Sequence, residues 1–267
     1  MGDITYISLG LLTLLVIPTL FFNRFLKLRI NKKISIGVIR MFVQLGLVGI
    51  YLQYLFDWNN AFLNVGYMLI MMLIASFSIS SSTELKSLRA RFGLYLSVFA
   101  ATFLVLFFLN FVVLRLQNVF DARYLITIGG MILGNVLRTD IVWLNAYYKG
   151  IRENTDIVNY DLALGATREQ ALRPYFRDAV MATIRPSVAS METIGLVALP
   201  GMMTGQILGG SLPANAIGYQ MAIMIAIYVS VYLNIIISIS ITQRLVFSDK
   251  DQLILIKAKK VKIKKSK

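Results

Sequence analysis

The sequence predicts an all-α integral membrane protein, a bundle of about seven transmembrane helices with a polar cytoplasmic insert between spans five and six. The first observation is compositional: 57% of the residues are hydrophobic and only 15% are charged, against about 25% charged residues in soluble domains. A water-soluble fold of 267 residues could not bury that much apolar surface in one core. The second observation is that the apolar runs do not alternate with polar residues, as the strands of an outer-membrane barrel do.

Several apolar segments are long enough to cross the hydrocarbon core of a membrane, which takes about 20 helical residues. They lie at residues 4–22, 34–55, 61–82, 93–114, 124–148, 186–208 and 214–242. We therefore expect one transmembrane domain, residues 1–245, with its polar insert at 151–185, followed by a basic cytoplasmic tail at 246–267. The amino-terminal segment lacks the basic start and small-residue cleavage site of a signal peptide, so we expect it to remain as the first span.

The positions of the 27 lysines and arginines predict the orientation. Nearly all lie after the first, third and fifth spans or in the tail, whereas the opposite side carries only Arg115 and Arg123. Basic residues concentrate on the cytoplasmic side, which predicts an external amino terminus and a cytoplasmic carboxyl terminus in the plasma (inner) membrane. Topology thus explains the net charge of +14 without a nucleic-acid partner, and the lysine-rich tail is expected to attract anionic membrane lipid.

The polar insert has the pattern of two short helices separated by a glycine. Asn154 or Asp156 can cap a helix that begins near residue 157, and Gly165 can end it in a left-handed conformation. Thr167 can then cap a second helix, with Gln170 as its capping-box partner. By composition alone, an amphipathic loop lying on the membrane surface explains the insert equally well.

The segment DLALGATREQALRP within the insert resembles the cytoplasmic coupling loop of ABC-transporter permeases. This resemblance implies that the insert is a coupling helix that contacts an ATPase, with Leu162 and Leu164 as apolar anchors. It assigns the contact to one cluster of residues: Asp161, Leu162, Leu164, Gly165 and Ala166. The match to binding-protein-dependent importers is partial, because the acidic residue stands four residues before the glycine instead of six and the later Leu-Pro is absent.

Two further stretches narrow the resemblance. GLVALPGMMTGQILGG, residues 195–210, and GMILGN, residues 130–135, are similar to the FetB-type permeases, a family of bacterial iron-export and plant aluminium-tolerance permeases. The resemblance extends over roughly residues 30–245 and includes the pair Tyr219-Gln220. It implies the permease subunit of an exporter of a metal ion, with iron favoured, and a homodimer of the permease.

The chain contains no phosphate-binding loop of the form G-x-x-x-x-G-K-[ST]. It therefore cannot hydrolyse ATP itself, and we expect a transport permease, not an enzyme. A separate nucleotide-binding ATPase subunit would use ATP and Mg, and we expect this chain to bind no cofactor of its own.

A break in the sixth segment marks a candidate transport pathway. Pro200 removes a backbone hydrogen bond and Gly201 and Gly205 weaken the helix further, which a membrane tolerates only against protein or a water-filled cavity. The spacing of the two glycines also suits close helix packing. Polar and sulfur-containing side chains beside the break are candidate pathway residues: Met202, Met203, Thr204 and Gln206.

Charged residues that fall well within predicted spans usually mark function, and here they are Arg138, Asp140 and Glu192. Glu192 and Gln206 offer oxygen ligands for a hard metal ion, whereas Met191, Met202 and Met203 would suit a softer one. The chain has no cysteine or histidine, which excludes ligands of those types.

Arg138 and Asp140, two positions apart, point about 200° away from each other on a helix and so need other partners. Glu192 is one conjectural partner for Arg138. An arginine beside a cation pathway is unusual, which leaves an anionic or conjugated substrate open.

Two other functions remain open from the sequence. A stand-alone secondary transporter could use Asp140 and Glu192 as its ion-coupled groups, although no inverted repeat is evident. A non-transporting scaffold could use the polar insert to recruit a soluble partner. The charged residues inside the predicted spans make the scaffold the weaker alternative.

Overall fold

The computed structural model describes residues 6–83, 85 and 88–246. The chain divides into two compact units, residues 1–58 and residues 59–267, and each is considered by itself. All the regular secondary structure in the described residues is helical, apart from one isolated bridge between Ile194 and Ala198. The all-α class predicted from the sequence is therefore confirmed. Nearly all of the predicted basic tail, residues 247–267, lies outside the described residues.

The first unit contains three helices, α1 (Tyr6–Thr13), α2 (Val16–Phe25) and α3 (Asn31–Trp58). The predicted first span, 4–22, is divided into α1 and α2, because Pro18 cannot donate a backbone hydrogen bond to the carbonyl of Leu14. Asn31 Nδ2 donates a hydrogen bond of 2.8 Å to the carbonyl of Leu20. This bond ties the start of α3 to α2 across the basic turn.

The second unit begins with a helical hairpin, α4 (Ala61–Ser82) and α5 (Leu88–Phe108). Asn60 caps α4 by accepting hydrogen bonds from the amides of Phe62 and Leu63. The last turn of the α5 segment, Leu109–Val113, is a π-helix.

The remainder of the second unit consists of α6 (Ala122–Glu153), α7 (Thr155–Ala163), α8 (Arg168–Thr193), α9 (Gly201–Leu208) and α10 (Pro213–Val246). Helix α6 is central, because it packs against α4, α5, α8 and α10. Its buried face includes Ile132, Trp143 and Leu144, all three of which are fully buried.

Six segments of the described residues are long and apolar enough to cross a membrane: Ser8–Phe25, Asn31–Trp58, Ala61–Ser82, Leu88–Val113, Ala122–Glu153 and Pro213–Ile241. The predicted sixth span, residues 186–208, is absent from this group. Its residues are shared between the end of α8, an irregular segment at 194–200, and the short helix α9. Helix α8 begins well before residue 186 and brings charged residues into the same helix, so the predicted boundary was wrong.

The predicted polar insert, 151–185, is not a separate element. Its first residues complete α6, its middle forms α7, and its remainder is the first two thirds of α8. The helix starts near the insert follow the sequence expectations only in part. Thr167 and Gln170 form the predicted capping box, but the side chain of Asn154 makes no cap and donates instead to the carbonyl of Gly150 at 2.8 Å.

Candidate functional site

A partly polar cavity of about 330 Å³ lies between α6, α8 and α10. Helix α6 contributes Asn135, Arg138, Thr139 and Val142, helix α8 contributes Ala182, Thr183, Pro186, Ser187, Ser190 and Met191, and helix α10 contributes Met224, Ile227, Tyr228 and Val231. Pro186 has no amide hydrogen, so the carbonyl of Ala182 lacks its usual helical donor. The cavity therefore combines hydroxyl, amide and carbonyl groups with one positive charge.

Arg138 is the charged residue of this cavity. Its side chain is exposed, and the ion pair recorded among the described residues joins Lys149 and Glu153, not Arg138 and Glu192. The conjectured pairing of Arg138 with Glu192 is therefore wrong. Glu192 is exposed and is not part of the cavity lining, because it lies on a different face of α8 from Ser190 and Met191.

Asp140 is fully buried on the opposite side of α6 and joins that helix to α10. Its Oδ1 atom accepts hydrogen bonds from Trp143 Nε1 at 2.8 Å and from Asn234 Nδ2 at 2.6 Å. Its Oδ2 atom is buried without a hydrogen-bond partner among the described residues. Asp140 thus serves as an interhelical tie, and it does not line the cavity that contains Arg138.

An aromatic cluster connects this tie to α8. The ring of Phe176 meets the rings of Trp143 and Tyr147 edge to face, with centroids 6.5 Å and 6.4 Å apart. Edge-to-face pairs of this kind favour one relative orientation of the two rings. Helix α8 is therefore held on α6 next to the residue that donates to Asp140.

The turn between α7 and α8 is set by Gly165, whose φ of 91° lies in the left-handed region. The amide of Gly165 donates to the carbonyl of Leu162 at 3.1 Å, and the amide of Ala166 donates to the carbonyl of Asp161 at 3.0 Å. This pair of bonds is the Schellman arrangement that ends many helices. The left-handed helix end predicted at Gly165 is confirmed.

One face of α7 carries exposed apolar side chains. Ile157, Tyr160 and Leu164 are 55%, 65% and 70% exposed and follow one another at helical spacing. Leu162, in contrast, packs against the buried core. The two predicted anchors therefore face in different directions, and only Leu164 belongs to the exposed apolar row.

Asp161 lies close enough to α8 to act on Tyr175. Burial, and then the negative charge of Asp161, raise the pKa of the Tyr175 phenol above its ordinary value. A Cβ atom placed on Gly150 of α6 would lie 3.3 Å from the ring of Tyr175. The second turn of α8 is thus packed closely against the end of α6.

The segment after α8 is irregular. Gly195 has a φ of 82°, and its amide donates to the carbonyl of Ala198 at 3.0 Å. Pro200 directly precedes the first residue of α9, Gly201, and Thr204 Oγ1 donates back to the carbonyl of Pro200 at 3.0 Å. The helical interruption therefore begins at residue 194, earlier than the sequence suggested.

The residues proposed beside the break do not join the cavity. Met202 packs against the core, and Gln206 keeps a buried Oε1 atom that lacks a hydrogen-bond partner among the described residues. Neither these two nor Met203, Thr204 or Gly205 lines the cavity around Arg138. Their part in a pathway stays a prediction.

The described residues contain no cluster of three or more acidic side chains that could hold a metal ion. The conjectured pair Glu192 and Gln206 supplies one carboxylate and one amide, and that pairing also stays a prediction. Of the methionines considered as softer ligands, Met191 lies at the cavity with Arg138, whereas Met202 and Met203 do not.

A larger groove of about 910 Å³ lies between α4 and α5 and is almost entirely apolar. Arg89 and Arg91 are the charged residues of its lining. Arg91 lies over the ring of Phe77 at 5.2 Å, and its Nε donates to Ser80 Oγ at 3.2 Å. The guanidinium is thereby already engaged by the protein. We therefore regard the smaller, more polar cavity as the candidate functional site.

Sequence reasoning missed several residues that shape this region. Asn234 is 94 positions from Asp140, and no local pattern could have paired them. Trp143 and Phe176 carry no signal in the sequence that distinguishes them from ordinary apolar residues. Tyr160 could have been found, because its spacing from Ile157 and Leu164 is that of one helix face.

Six segments of the described residues have spanning length, and their large apolar side chains, such as those of Phe62 and Leu88, are exposed; together they define a multi-pass helical membrane protein. The chain belongs to the family described as "Uncharacterised protein family (UPF0014)", whose profile matches residues 6–247.

Relatives from bacteria and plants share most of the chain. The "Probable iron export permease protein FetB" of Escherichia coli (strain K12) is 31% identical over 258 residues, covering 97% of this chain and 98% of the relative. The "UPF0014 membrane protein YjkA" of Bacillus subtilis (strain 168) is 30% identical over 82% of this chain and 86% of its own. "Protein ALUMINUM SENSITIVE 3" of Arabidopsis thaliana is 33% identical over 70% of this chain and 67% of its own. No solved structure gives a significant match, and the resemblance to FetB-type permeases is confirmed.

Proposed function

We propose that this chain is the permease subunit of an ATP-driven exporter, with iron as the first candidate cargo and a separate ATPase as its energy source. The name of the Escherichia coli relative supports export of iron. The chain itself has no phosphate-binding loop in its sequence, so the nucleotide chemistry is assigned to a partner protein.

The exposed apolar row on α7 carries the assignment of a partner. Ile157, Tyr160 and Leu164 project from a helix whose opposite side is anchored by the fully buried Val158. An amphipathic helix with a free apolar face is the shape that docks into a groove of a second protein. The chain turns sharply at Gly165 into α8, so one groove on the ATPase would contact both the exposed apolar row and the turn that follows it.

Helix α8 supplies the route from that contact to the candidate site. It begins directly after the turn and contributes Thr183, Ser187 and Ser190 to the cavity. Phe176 fixes the intervening part of α8 against α6. Movement imposed by the ATPase at the turn would therefore reach the cavity through one continuous helix.

The proposal includes two copies of the permease, with the α7 turn on the cytoplasmic side. The irregular segment supports a dimer, because Leu196 and Val197 are 87% and 84% exposed and offer apolar area for a second copy. The distribution of lysine and arginine supports the orientation. A secondary transporter is less well supported, since Asp140 is buried in a tie and Glu192 lies on another surface.

The test is to purify the tagged chain from membranes of its own host and to measure Mg-dependent ATPase activity in the eluate. We expect an ATP-hydrolysing protein to co-purify with the wild-type chain. With the Leu164→Asp variant, the ATPase activity in the eluate should be at least tenfold lower. Asn159→Asp is the matched control, because it places the same charge on another exposed face of α7. If both variants lost the co-purified ATPase activity to the same extent, or if neither lost it, docking through the apolar row would be contradicted.

The cargo is tested separately. Cells that lack the chain should accumulate more iron under iron overload than cells that carry it, and the Leu164→Asp variant should not restore the normal content. Unchanged iron content in the deletion strain would remove iron as the cargo.

A further inference from the structure

We infer that the cavity around Arg138 binds an oxyanion, so that the transported species enters as a carboxylate- or phosphate-bearing anion and a metal would travel as an anionic complex. This inference rests on the proposed permease function. It concerns the chemical form of the cargo, which neither the family nor the names of the relatives specify.

The charge of the cavity is the first step. Arg138 contributes a permanent positive charge, and no aspartate or glutamate is among the lining residues. A site for a bare divalent cation normally supplies carboxylate or carbonyl oxygens and avoids an adjacent positive charge. The cavity has the opposite character, because its charged group repels a free cation and attracts an anion.

The missing counter-ion is the second step. The described structure records neither a hydrogen bond nor an ion pair to the Arg138 side chain. Its neighbour Asp140 is turned away and accepts from Trp143 and Asn234 instead. An unpaired charge within a membrane-spanning helix is costly. A bound anion would supply the counter-ion that Arg138 lacks in the described structure.

The neutral groups around Arg138 form the third step. Ser187, Ser190 and Tyr228 present hydroxyls on two other helices, and hydroxyl groups can donate to an anion's oxygens. The hydroxyl of Thr139 is already used, since it donates to the carbonyls of Asn135 and Val136 at 2.8 Å and 3.0 Å. A guanidinium fork with hydroxyls from facing helices suits a carboxylate or phosphate.

The position of the cavity links binding to movement. Its lining comes from α6, α8 and α10, so an anion held by Arg138 on α6 and by Ser187 on α8 would bridge two helices. Separation of α8 from α6 would remove the α8 hydroxyls from the anion while Arg138 stayed in place. Binding strength is therefore expected to depend on the position of α8.

The experiment measures ligand binding to the purified full-length chain in detergent by equilibrium dialysis, without nucleotide or ATPase. The probes are citrate, ferric citrate, orthophosphate and ferrous ion, each at the same ionic strength. We expect at least one oxyanion probe to bind and Arg138→Gln to weaken its binding by tenfold or more. Arg138→Lys should retain part of the binding, because it keeps the charge and loses the fork.

Arg123→Gln is the matched control, since it removes an exposed arginine from the same helix at a distance from the cavity. Ser187→Glu is the second test variant; it leaves Arg138 intact and introduces a competing carboxylate, so it should weaken oxyanion binding as well. Size-exclusion profiles of the Arg138 variants should match the wild type, because Arg138 is exposed and its side chain has no hydrogen bond or ion pair in the described structure.

The arms of the experiment separate the sources of the anion. Binding of ferric citrate but not citrate indicates a metal complex as cargo, whereas binding of citrate or orthophosphate alone indicates a free anion. Binding of ferrous ion alone, no binding of any oxyanion, or equal binding by wild type and Arg138→Gln would overturn the inference. If no ATPase co-purified, the proposed function would be overturned. The result of the binding experiment would still hold, because that experiment uses neither nucleotide nor ATPase.

Discussion

Asn234 Nδ2 donates to Asp140 Oδ1 at 2.6 Å, and this bond joins α6 to α10 in the fully buried interior of the second unit. The same oxygen accepts from Trp143, whose ring is packed against Phe176 of α8. The carboxylate therefore joins two of the helices that enclose the candidate cavity, and the third, α8, packs against the tryptophan that donates to it. We expect this group to contribute to stability and to the positions of the helices around Arg138.

Replacing Asn234 with leucine should destabilise the protein by about 1–3 kcal/mol, because Asp140 loses a donor in a buried place. Asp140→Asn should cost less, since its amide oxygen can still accept both hydrogen bonds. Thermal unfolding in detergent measures the difference, with about 2–4 °C expected per kcal/mol. Ser240→Ala on the exposed face of α10 is the control, and a Tm for Asn234→Leu equal to that of the control would show that the tie is unimportant.

Gly93→Ala should destabilise the contact between α5 and α10. A Cβ atom at that position would collide with Cγ2 of Ile241, and overpacking of this kind costs about 1–3 kcal/mol. Gly66→Ala is the matched control, because nothing lies within 4 Å of its added Cβ and alanine favours the helix by up to about 1 kcal/mol. The two variants should shift the Tm in opposite directions, and a common shift would contradict close packing at Gly93.

Substitutions of Gly165 should follow the cost of a left-handed backbone, not the size of the side chain. The φ of 91° is tolerated better by asparagine than by alanine or valine, and a β-branched residue there is the most strained. Co-purified ATPase activity should therefore fall in the order Gly165, Asn, Ala, Val. Gly201→Ala is the control, since its added Cβ meets nothing within 4 Å, and equal activity in all Gly165 variants would argue against a fixed turn.

The absence of cysteine from the chain makes single-cysteine labelling a clean test of orientation. Glu169→Cys lies in the first turn of α8, and Gln117→Cys lies between α5 and α6; both positions are exposed. A membrane-impermeant maleimide should label position 117 in intact cells and position 169 only in inverted vesicles. The reverse pattern would place α7 outside the cell and exclude contact with a cytoplasmic ATPase.

Local signals accounted for much of the fold. The apolar segment 61–82 became a helix with the same bounds, because Asn60 supplies its cap and Thr83 has an extended backbone. The segment 186–208 did not, because Pro186 is accommodated inside α8 while the left-handed Gly195 follows the end of that helix. Pro186, which the sequence places at the start of a span, therefore does not end a helix, whereas Gly195 lies at the point where the helix stops.

The candidate site was less accessible to sequence reasoning than the fold. Arg138 and Asp140 were recognised as unusual, and their opposite directions on α6 followed from helical geometry. Their surroundings come from α8 and α10, many residues further along the chain. Pairings of that kind depend on how helices pack, which the periodicity of each helix alone does not specify.

Helix α8 spans Arg168–Thr193 without interruption and contacts α6 through Phe176, so a tilt about that contact would have two unequal arms. The arm from Phe176 to Arg168 is about 12 Å long and the arm to Thr193 about 26 Å, at 1.5 Å per residue. A tilt that moves the short arm by about 1 Å would move the far end by about 2 Å. A small displacement at the α7 turn would therefore be roughly doubled at the irregular segment beyond the cavity.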